Sequence, residues 1–172
     1  MITFEGTNND KIMEMTLFHI PHSSKVIPDY NEFEQSLIKS EIELLTDHST
    51  DIIFNVDKIE RLIFPYSRIY CDVERLPDEK EDMYQHGRGF YYTKTDNGLD
   101  LRTKFDKKQF IFDVVYTSHH KKLENMVDKR LAMYGRCFII DCHSFPDIPF
   151  KTDKEQTGIR PDICIGIDKF HT

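Results

Sequence analysis

The chain contains two similar stretches, Phe18-His19-Ile20-Pro21-His22-Ser23-Ser24 and Phe138-Ile139-Ile140-Asp141-Cys142-His143-Ser144, in which a hydrophobic run ends in a His-Ser step. Short hydrophobic runs are typical of buried strands, so each stretch predicts an imidazole at the carboxyl edge of a sheet. Open α/β folds bind their ligands at that edge. On neighbouring strands His22 and His143 would share one metal ion. The competing interpretation is that each is a hydrogen-bonded structural histidine at the end of its strand.

The rest of the chain alternates strand patterns with helical patterns. Apolar residues recur at helical spacing over 30–54, which predicts one amphipathic helix or a pair, and over 106–135, which predicts the longest helix. Strands are predicted over 15–20, 59–64, 68–73, 137–142 and 163–167, with the 137–142 strand buried, and Asn97-Gly98 predicts a hairpin turn between 91–93 and 99–102. This order predicts an α/β sandwich around a mixed sheet, preceded by a loose arm over 1–14.

Length and charge restrict the class of protein. The 172 residues are treated as a single domain, and the formal net charge of −7 argues against a broad nucleic-acid-binding face. The four cysteines lie in apolar runs without paired spacing and are predicted to be reduced thiols. The polar start of the chain lacks a signal-peptide pattern, and no apolar run approaches the ~20 residues that span a bilayer. We therefore expect a cytoplasmic protein without a membrane partner.

A metal site at the two histidines requires further ligands. Catalytic zinc sites combine three protein ligands with an open position for water, and carboxylates are common third ligands. Four carboxylates lie near the ends of predicted elements, namely Asp47, Asp51, Asp72 and Glu74. For the two that fall in the helical region, a solvated helix face is the competing interpretation.

A second group of charged residues follows the 68–73 strand pattern. Strand alternation places Arg68 and Asp72 on one face, and Arg75 comes just after the predicted strand. A guanidinium held by a nearby carboxylate is suited to two parallel hydrogen bonds with a substrate carboxylate. The competing interpretation is a surface ion pair.

Several short motifs occur in an informative order. They are His19-Ile20-Pro21-His22-Ser23, Thr46-Asp47, Ser67-Arg68, Asp72-Val73-Glu74-Arg75, His120 with Leu123, Asp141-Cys142-His143-Ser144 and Pro161-Asp162-Ile163-Cys164-Ile165-Gly166. In this order they resemble the N-formylglutamate amidohydrolase family over about residues 17–172. The resemblance implies a three-layer sandwich with a mixed central sheet, related to the zinc carboxypeptidases and of the phosphorylase/hydrolase-like type.

The resemblance also implies a zinc ion and its ligands. His22, Asp47 and His143 are the expected ligands, with Glu74 as the fallback for the third position. Asp47 is preferred because its Thr-Asp step matches a family motif.

Three further residues match family positions near the substrate. Arg75, assisted by Arg68, is expected to hold a substrate carboxylate, and His120 is expected to be catalytic. The neighbouring His119 falls on the apolar stripe of the long helix, which predicts a packing role.

The activity implied by the resemblance is hydrolysis of the amide of a small N-acyl amino acid such as N-formylglutamate. The chain departs from the family at Ser24, where Gly is usual, and at Glu74, where Asn is common. Family members also continue beyond the position of Thr172 and there supply a glutamate that resembles the carboxypeptidase general base, so the C-terminal part of the family fold is expected to be missing. The alternative is a catalytically inactive relative that acts as a binding or structural protein. The oligomeric state is left open.

Overall fold

A small parallel sheet lies at the centre of the protein. The computed structural model describes residues 5–153 and 160–166. Its strands are β1 (Thr16–Ile20), β2 (Glu60–Ile63) and β3 (Phe138–Asp141), in the order β2-β1-β3. Both pairings are parallel. The three strands confirm the patterns seen over 15–20, 59–64 and 137–142, whereas the mixed sheet and the three-layer arrangement stay predictions.

The central and edge strands differ in burial. Every residue of β1 is buried, as expected for a parallel strand covered on both faces. In contrast, β3 is exposed along its whole length, with 46% of Phe138, 46% of Ile139 and 45% of Ile140 accessible. The prediction of a buried strand over 137–142 was therefore wrong in its burial, because hydrophobic content alone does not show which strand lies at an edge.

Helices surround the sheet. They are α1 (Glu5–Met15), α2 (Ile38–Leu45), α3 (Thr50–Ile53), α4 (Lys108–Phe110) and α5 (Thr117–Tyr134), with a π-helical segment Ile111–Tyr116 between the last two and 3-10 turns at Tyr30–Glu32 and Tyr84–His86. The pair α2 and α3 confirms the helical prediction for 30–54. Helix α1 begins inside the segment expected to be a loose arm. No helix among the described residues is long and apolar enough to cross a bilayer.

Helix α5 is tied to the sheet by polar contacts as well as apolar ones. Arg130 donates to the backbone oxygen of Thr16 in β1 at 3.3 Å and pairs with Glu60 of β2 at 3.0 Å. The helix ends at Gly135, whose φ of 72° allows the left-handed C-terminal cap predicted for it. The long helix over 106–135 is thus confirmed, and Arg130 joins its last turns to β1 and β2.

Three local predictions differ from the structure. Residues 68–73 form buried turns and not a strand, since the Tyr70 N–H donates to the Ser67 oxygen at 2.9 Å. The hairpin around Asn97-Gly98 is reduced to one antiparallel bridge between Lys94 and Asp100, with Gly98 in the turn at φ 79°. Residues 163–166 carry no strand, and Ile167 lies outside the described residues.

The larger hydrophobic cluster supports the loop that follows β2. It joins the buried face of α2 to that loop and to the segment 90–92, and includes Ile38, Ile42, Leu45, Phe64, Ile69, Tyr70, Cys71, Val73, Phe90, Tyr91 and Tyr92. Apolar packing therefore holds this loop in place, although it has no repeating secondary structure. All four cysteines, which lie within the described residues, are free thiols, as predicted.

Candidate metal centre

Three of the residues expected to bind metal come together at the carboxyl edge of the sheet. His22 lies two residues after β1, His143 two residues after β3, and Asp47 just beyond the end of α2. The Asp47 N–H donates to the His22 backbone oxygen at 3.0 Å, which fastens the end of the helix to the strand end. One ligand atom from each residue lies within 4.8 Å of the others. The parallel pairing of β1 with β3 is what places the two histidines side by side.

The donor atoms face one another around Asp47. His143 Nδ1 is 2.8 Å from Asp47 Oδ2, and His22 Nδ1 is 3.8 Å from the same oxygen. His22 is 2% exposed, and its Nδ1 is buried without a hydrogen-bond partner among the described residues. An unpaired buried nitrogen is costly and needs an explanation. A cation between these three atoms would satisfy it, and two imidazoles with one carboxylate form a donor set that zinc accepts.

A buried carboxylate sets the tautomer and the orientation of His22. Asp72 Oδ1 lies 2.9 Å from His22 Nε2, and Asp72 Oδ2 accepts hydrogen bonds from Arg68 at 2.9 and 3.1 Å and from Tyr92 at 3.0 Å. Because the ionised carboxylate only accepts, the His22 proton resides on Nε2 and the lone pair remains on Nδ1. Metal-binding histidines commonly have such a carboxylate behind them.

The site is electrostatically prepared for positive charge. Burial acts to raise the pKa of Asp47, but the hydrogen bond from His143 and the proximity of His22 and Arg68 hold that pKa well below its ordinary value. Burial likewise opposes ionisation of Asp72, and the charge of Arg68 outweighs it, so the Asp72 pKa is also strongly lowered. For His143, burial favours the neutral ring, yet hydrogen bonds to Asp47 and Glu74 raise its pKa to about 10. The ionised carboxylates of Asp47 and Asp72 thus attract positive charge to this position, and a proton on His143 supplies it in this structure.

Two other groups of donors are less suited to a metal. In the group of His19, Glu74 and Asp141, both His19 nitrogens are engaged: Nδ1 lies 2.6 Å from Asp141 and Nε2 lies 2.8 Å from His119. In the group of His22, Asp72 and Glu74, both Asp72 oxygens already have partners. Among the described donor groups, the group of His22, Asp47 and His143 is the one that uses the unpartnered Nδ1 of His22, because His22 faces Asp72 and Glu74 through Nε2.

The two candidate arginines differ in accessibility. Arg68 is buried, and its guanidinium donates hydrogen bonds to Asp72 and Tyr92. Arg75 has 30% of its side chain exposed and pairs with Glu81 at 3.1 Å. Arg75 is therefore the arginine accessible to a substrate, whereas Arg68 holds Asp72. Arg68 and Asp72 do share a side of the loop, through i,i+4 turn geometry and not through the strand alternation expected from sequence.

His120 lies behind the metal centre. Its ring packs 4.3 Å from that of Tyr116 and interacts with the backbone of Val73, and burial lowers its pKa. None of the hydrogen bonds or ring contacts found in the described part of the chain joins it to the three donor residues. His119 is buried against Phe64, as its packing role predicts, and also contacts His19.

Sequence reasoning missed the roles of three residues beside the site. His19 and Asp141 are opposite one another in the β1–β3 register, which no pattern within either strand reveals. Tyr92, which donates to Asp72, lies 20 residues further along the chain. The spacing of Arg68 and Asp72, four residues apart, was the one available signal, and it was interpreted as strand alternation.

Comparisons with known proteins concern the family and the fold of the chain. The family model of N-formylglutamate amidohydrolase matches residues 15–172. The crystal structure of N-formylglutamate amidohydrolase from Ralstonia eutropha JMP134 is similar with a TM-score of 0.66 and 17% sequence identity, covering 77% of this chain and 54% of that chain. The chain thus spans about half the length of that relative. No curated protein matches the chain. At this identity the structural similarity supports the α/β fold alone.

Proposed function

The chain belongs to the N-formylglutamate amidohydrolase family, and from this premise we propose that it hydrolyses the amide bond of an N-acyl amino acid with a divalent metal ion, zinc being expected. The observation that carries the proposal is the buried, unpaired Nδ1 of His22, which faces Asp47 beside His143. As part of the same proposal, the sheet is mixed and related to that of the zinc carboxypeptidases. N-formylglutamate is the first substrate to test.

The proposed division of labour follows from the contacts. His22, Asp47 and His143 would hold the metal, which when bound supplies Lewis acidity and activates water near neutral pH. Arg75, which Glu81 orients, would donate two parallel hydrogen bonds to the substrate carboxylate. Fixing the substrate in this way lowers the entropic part of the barrier. The expected catalytic role of His120 stays a prediction, since its contacts support the backbone of the loop over 72–74.

Metal analysis of purified variants tests the proposal. The wild-type protein is loaded with zinc, dialysed and measured by elemental analysis, together with His22→Ala and His143→Ala. We expect one tightly held zinc per chain in the wild type and at least a tenfold weaker affinity in each variant, because a ligand is lost. His86→Ala is the matched control, since His86 is exposed and outside the site. Full zinc occupancy in both ligand variants would contradict the assignment.

A turnover assay separates the enzyme from the inactive relative. Formate release from N-formylglutamate and from other N-formyl amino acids is followed with added zinc. Turnover that His143→Ala abolishes supports the amidohydrolase. Zinc binding without turnover on any N-acyl amino acid would instead support the binding or structural protein, which the family match does not favour.

A further inference from the structure

The loop Asp72–Glu74 lies against the far nitrogens of both candidate metal histidines. Asp72 faces His22 Nε2 at 2.9 Å, and Glu74 faces His143 Nε2 at 3.0 Å. We propose that Glu74 is a positioning residue for His143, in the same way that Asp72 positions His22, so that one loop aligns both imidazoles toward the metal. This inference rests on the metal centre proposed above.

The first step is the direction of the hydrogen bond. A carboxylate accepts only, so the contact with Glu74 requires a His143 proton to be on Nε2. His143 Nδ1 lies 2.8 Å from Asp47 Oδ2 and therefore donates to that carboxylate as well. A metal beside Asp47 would displace the Nδ1 proton, because Glu74 retains the proton on Nε2. The same reasoning for His22 places its proton on Nε2 and leaves the lone pair of Nδ1 to bind the metal. Both histidines therefore present the same ring nitrogen to the position beside Asp47.

The second step is that the metal does not require Glu74 as its third ligand. Glu74 contacts His143 through the nitrogen on the opposite side of the ring from Asp47, and its second oxygen lies 3.4 Å from His22 Nε2. Glu74 thus stands behind both rings, and a metal held by the two Nδ1 atoms does not require it as the third ligand. Among the described ion pairs, Arg75 pairs with Glu81 and Asp72 and not with Glu74.

The third step is the rigidity of the loop. The Glu74 N–H donates to Asp72 Oδ1 at 3.1 Å, and Arg68 holds the other oxygen of Asp72. The Tyr116 hydroxyl donates to the Arg75 backbone oxygen at 2.9 Å, while His120 interacts with the Val73 backbone. These contacts fix the backbone on both sides of Glu74. The Glu74 side chain, which is 23% exposed, is therefore directed at His143 by the constrained backbone of the loop.

The consequence for metal binding is measurable. Carboxylates behind a metal-bound histidine fix its tautomer and orientation and raise its basicity, and their loss commonly weakens metal affinity about 10–100-fold. We expect Glu74→Ala to weaken zinc binding by about this factor. Glu74→Gln keeps an acceptor oxygen and should lose less. Glu79→Ala removes the same charge from an exposed position in the following segment, so it is the matched control and should bind zinc as the wild type does.

The experiment is a competition for zinc against a chromophoric chelator at fixed pH and salt, with folding of each variant verified by circular dichroism. Histidine nitrogen NMR of the zinc-loaded protein gives a second measurement. The proposal requires zinc on Nδ1 of His143 and a protected Nε2–H that exchanges faster in Glu74→Ala. If that variant fails to fold, Glu74→Gln carries both measurements.

The possible outcomes separate the positioning role of Glu74 from the existence of the metal centre. Wild-type zinc affinity in Glu74→Ala, or zinc on Nε2 of His143, would overturn the positioning role while leaving the metal centre intact. A wild-type protein that binds no zinc would instead overturn the proposed function, and this inference with it. Affinity lost equally in Glu79→Ala would show a general charge effect and would also overturn the specific role of Glu74.

Discussion

At the scale of single residues, a chain of hydrogen bonds runs beside the metal centre from the exposed Asp141 to the buried His119. Asp141 faces His19 Nδ1 at 2.6 Å, and His19 Nε2 faces His119 Nε2 at 2.8 Å. The hydrogen bond from His19 lowers the pKa of Asp141. Burial, and then the neighbouring His19, lower the pKa of His119 to about 3. His119 is therefore neutral in the folded protein near pH 7, which suits its contact with the ring of Phe64.

This lowered pKa predicts a pH-dependent stability. The unfolded chain binds a proton at His119 near the ordinary pKa of about 6.5, whereas the folded chain does not until about pH 3. Stability should therefore fall as pH decreases from 6.5 toward 3, by up to about 5 kcal/mol for this residue. The other titratable groups that act on His119 are His19, His120 and Lys122. His119→Gln, which keeps a hydrogen-bonding side chain but does not titrate, should flatten urea unfolding energies measured between pH 4 and 7. An unchanged slope in this variant would contradict the prediction.

At the scale of elements, the long helix has a specialised beginning. The π-helical segment Ile111–Tyr116 separates α4 from α5, and π-bulges of this kind are frequent at functional sites. Within it, Phe112 and Tyr116 stack with ring centroids 5.5 Å apart. The Tyr116 hydroxyl then reaches the Arg75 backbone. The irregular turn thus connects the helix to the loop that carries Asp72 and Glu74.

The other end of this helix gives a stability prediction. Gly135 has φ 72°, and its N–H donates to the Leu131 oxygen at 2.8 Å. A Cβ at this position would meet no atom within 4 Å, so the cost of substitution comes from the backbone alone. Gly135→Ala should reduce the free energy of unfolding by about 1–2 kcal/mol. Asn tolerates the left-handed conformation better, so Gly135→Asn should cost less. Equal stability of all three proteins in thermal unfolding would refute this account.

At the scale of the whole molecule, one buried arginine joins segments that are distant in sequence. Arg102 pairs with Glu32 and donates to the backbone oxygens of Tyr92, Ile69 and Tyr70. Its guanidinium carbon also lies 3.6 Å from the centre of the Tyr91 ring. These contacts fix the start of the loop that supplies Arg68 and Asp72. The metal centre is therefore supported from a point well outside it.

Removing this arginine should destabilise the fold. Arg102→Leu leaves the Glu32 carboxylate buried without its main partner, and breaking a buried ion pair in this way costs about 3–5 kcal/mol. Arg102→Leu with Glu32→Leu should recover part of that loss, because no buried charge then remains. Arg136→Leu, at an exposed position, is the control for the change of net charge. Denaturant unfolding that shows a loss below about 1 kcal/mol in Arg102→Leu would contradict this role.

The grouping of His22, Asp47 and His143 was implied by the family resemblance. The sequence by itself determined the three strands, the helix pair and the long helix with its glycine cap. These features depend on short-range periodicity and on strand-end chemistry, both of which are local. Only the tertiary structure decided the turns over 68–73, the exposure of β3 and the partners of the metal histidines. The His143–Asp47 and His143–Glu74 contacts join residues 96 and 69 positions apart, and the register of β1 on β3 sets His19 opposite Asp141. Local patterns do not encode such pairings, because they depend on how segments pack after the chain has folded.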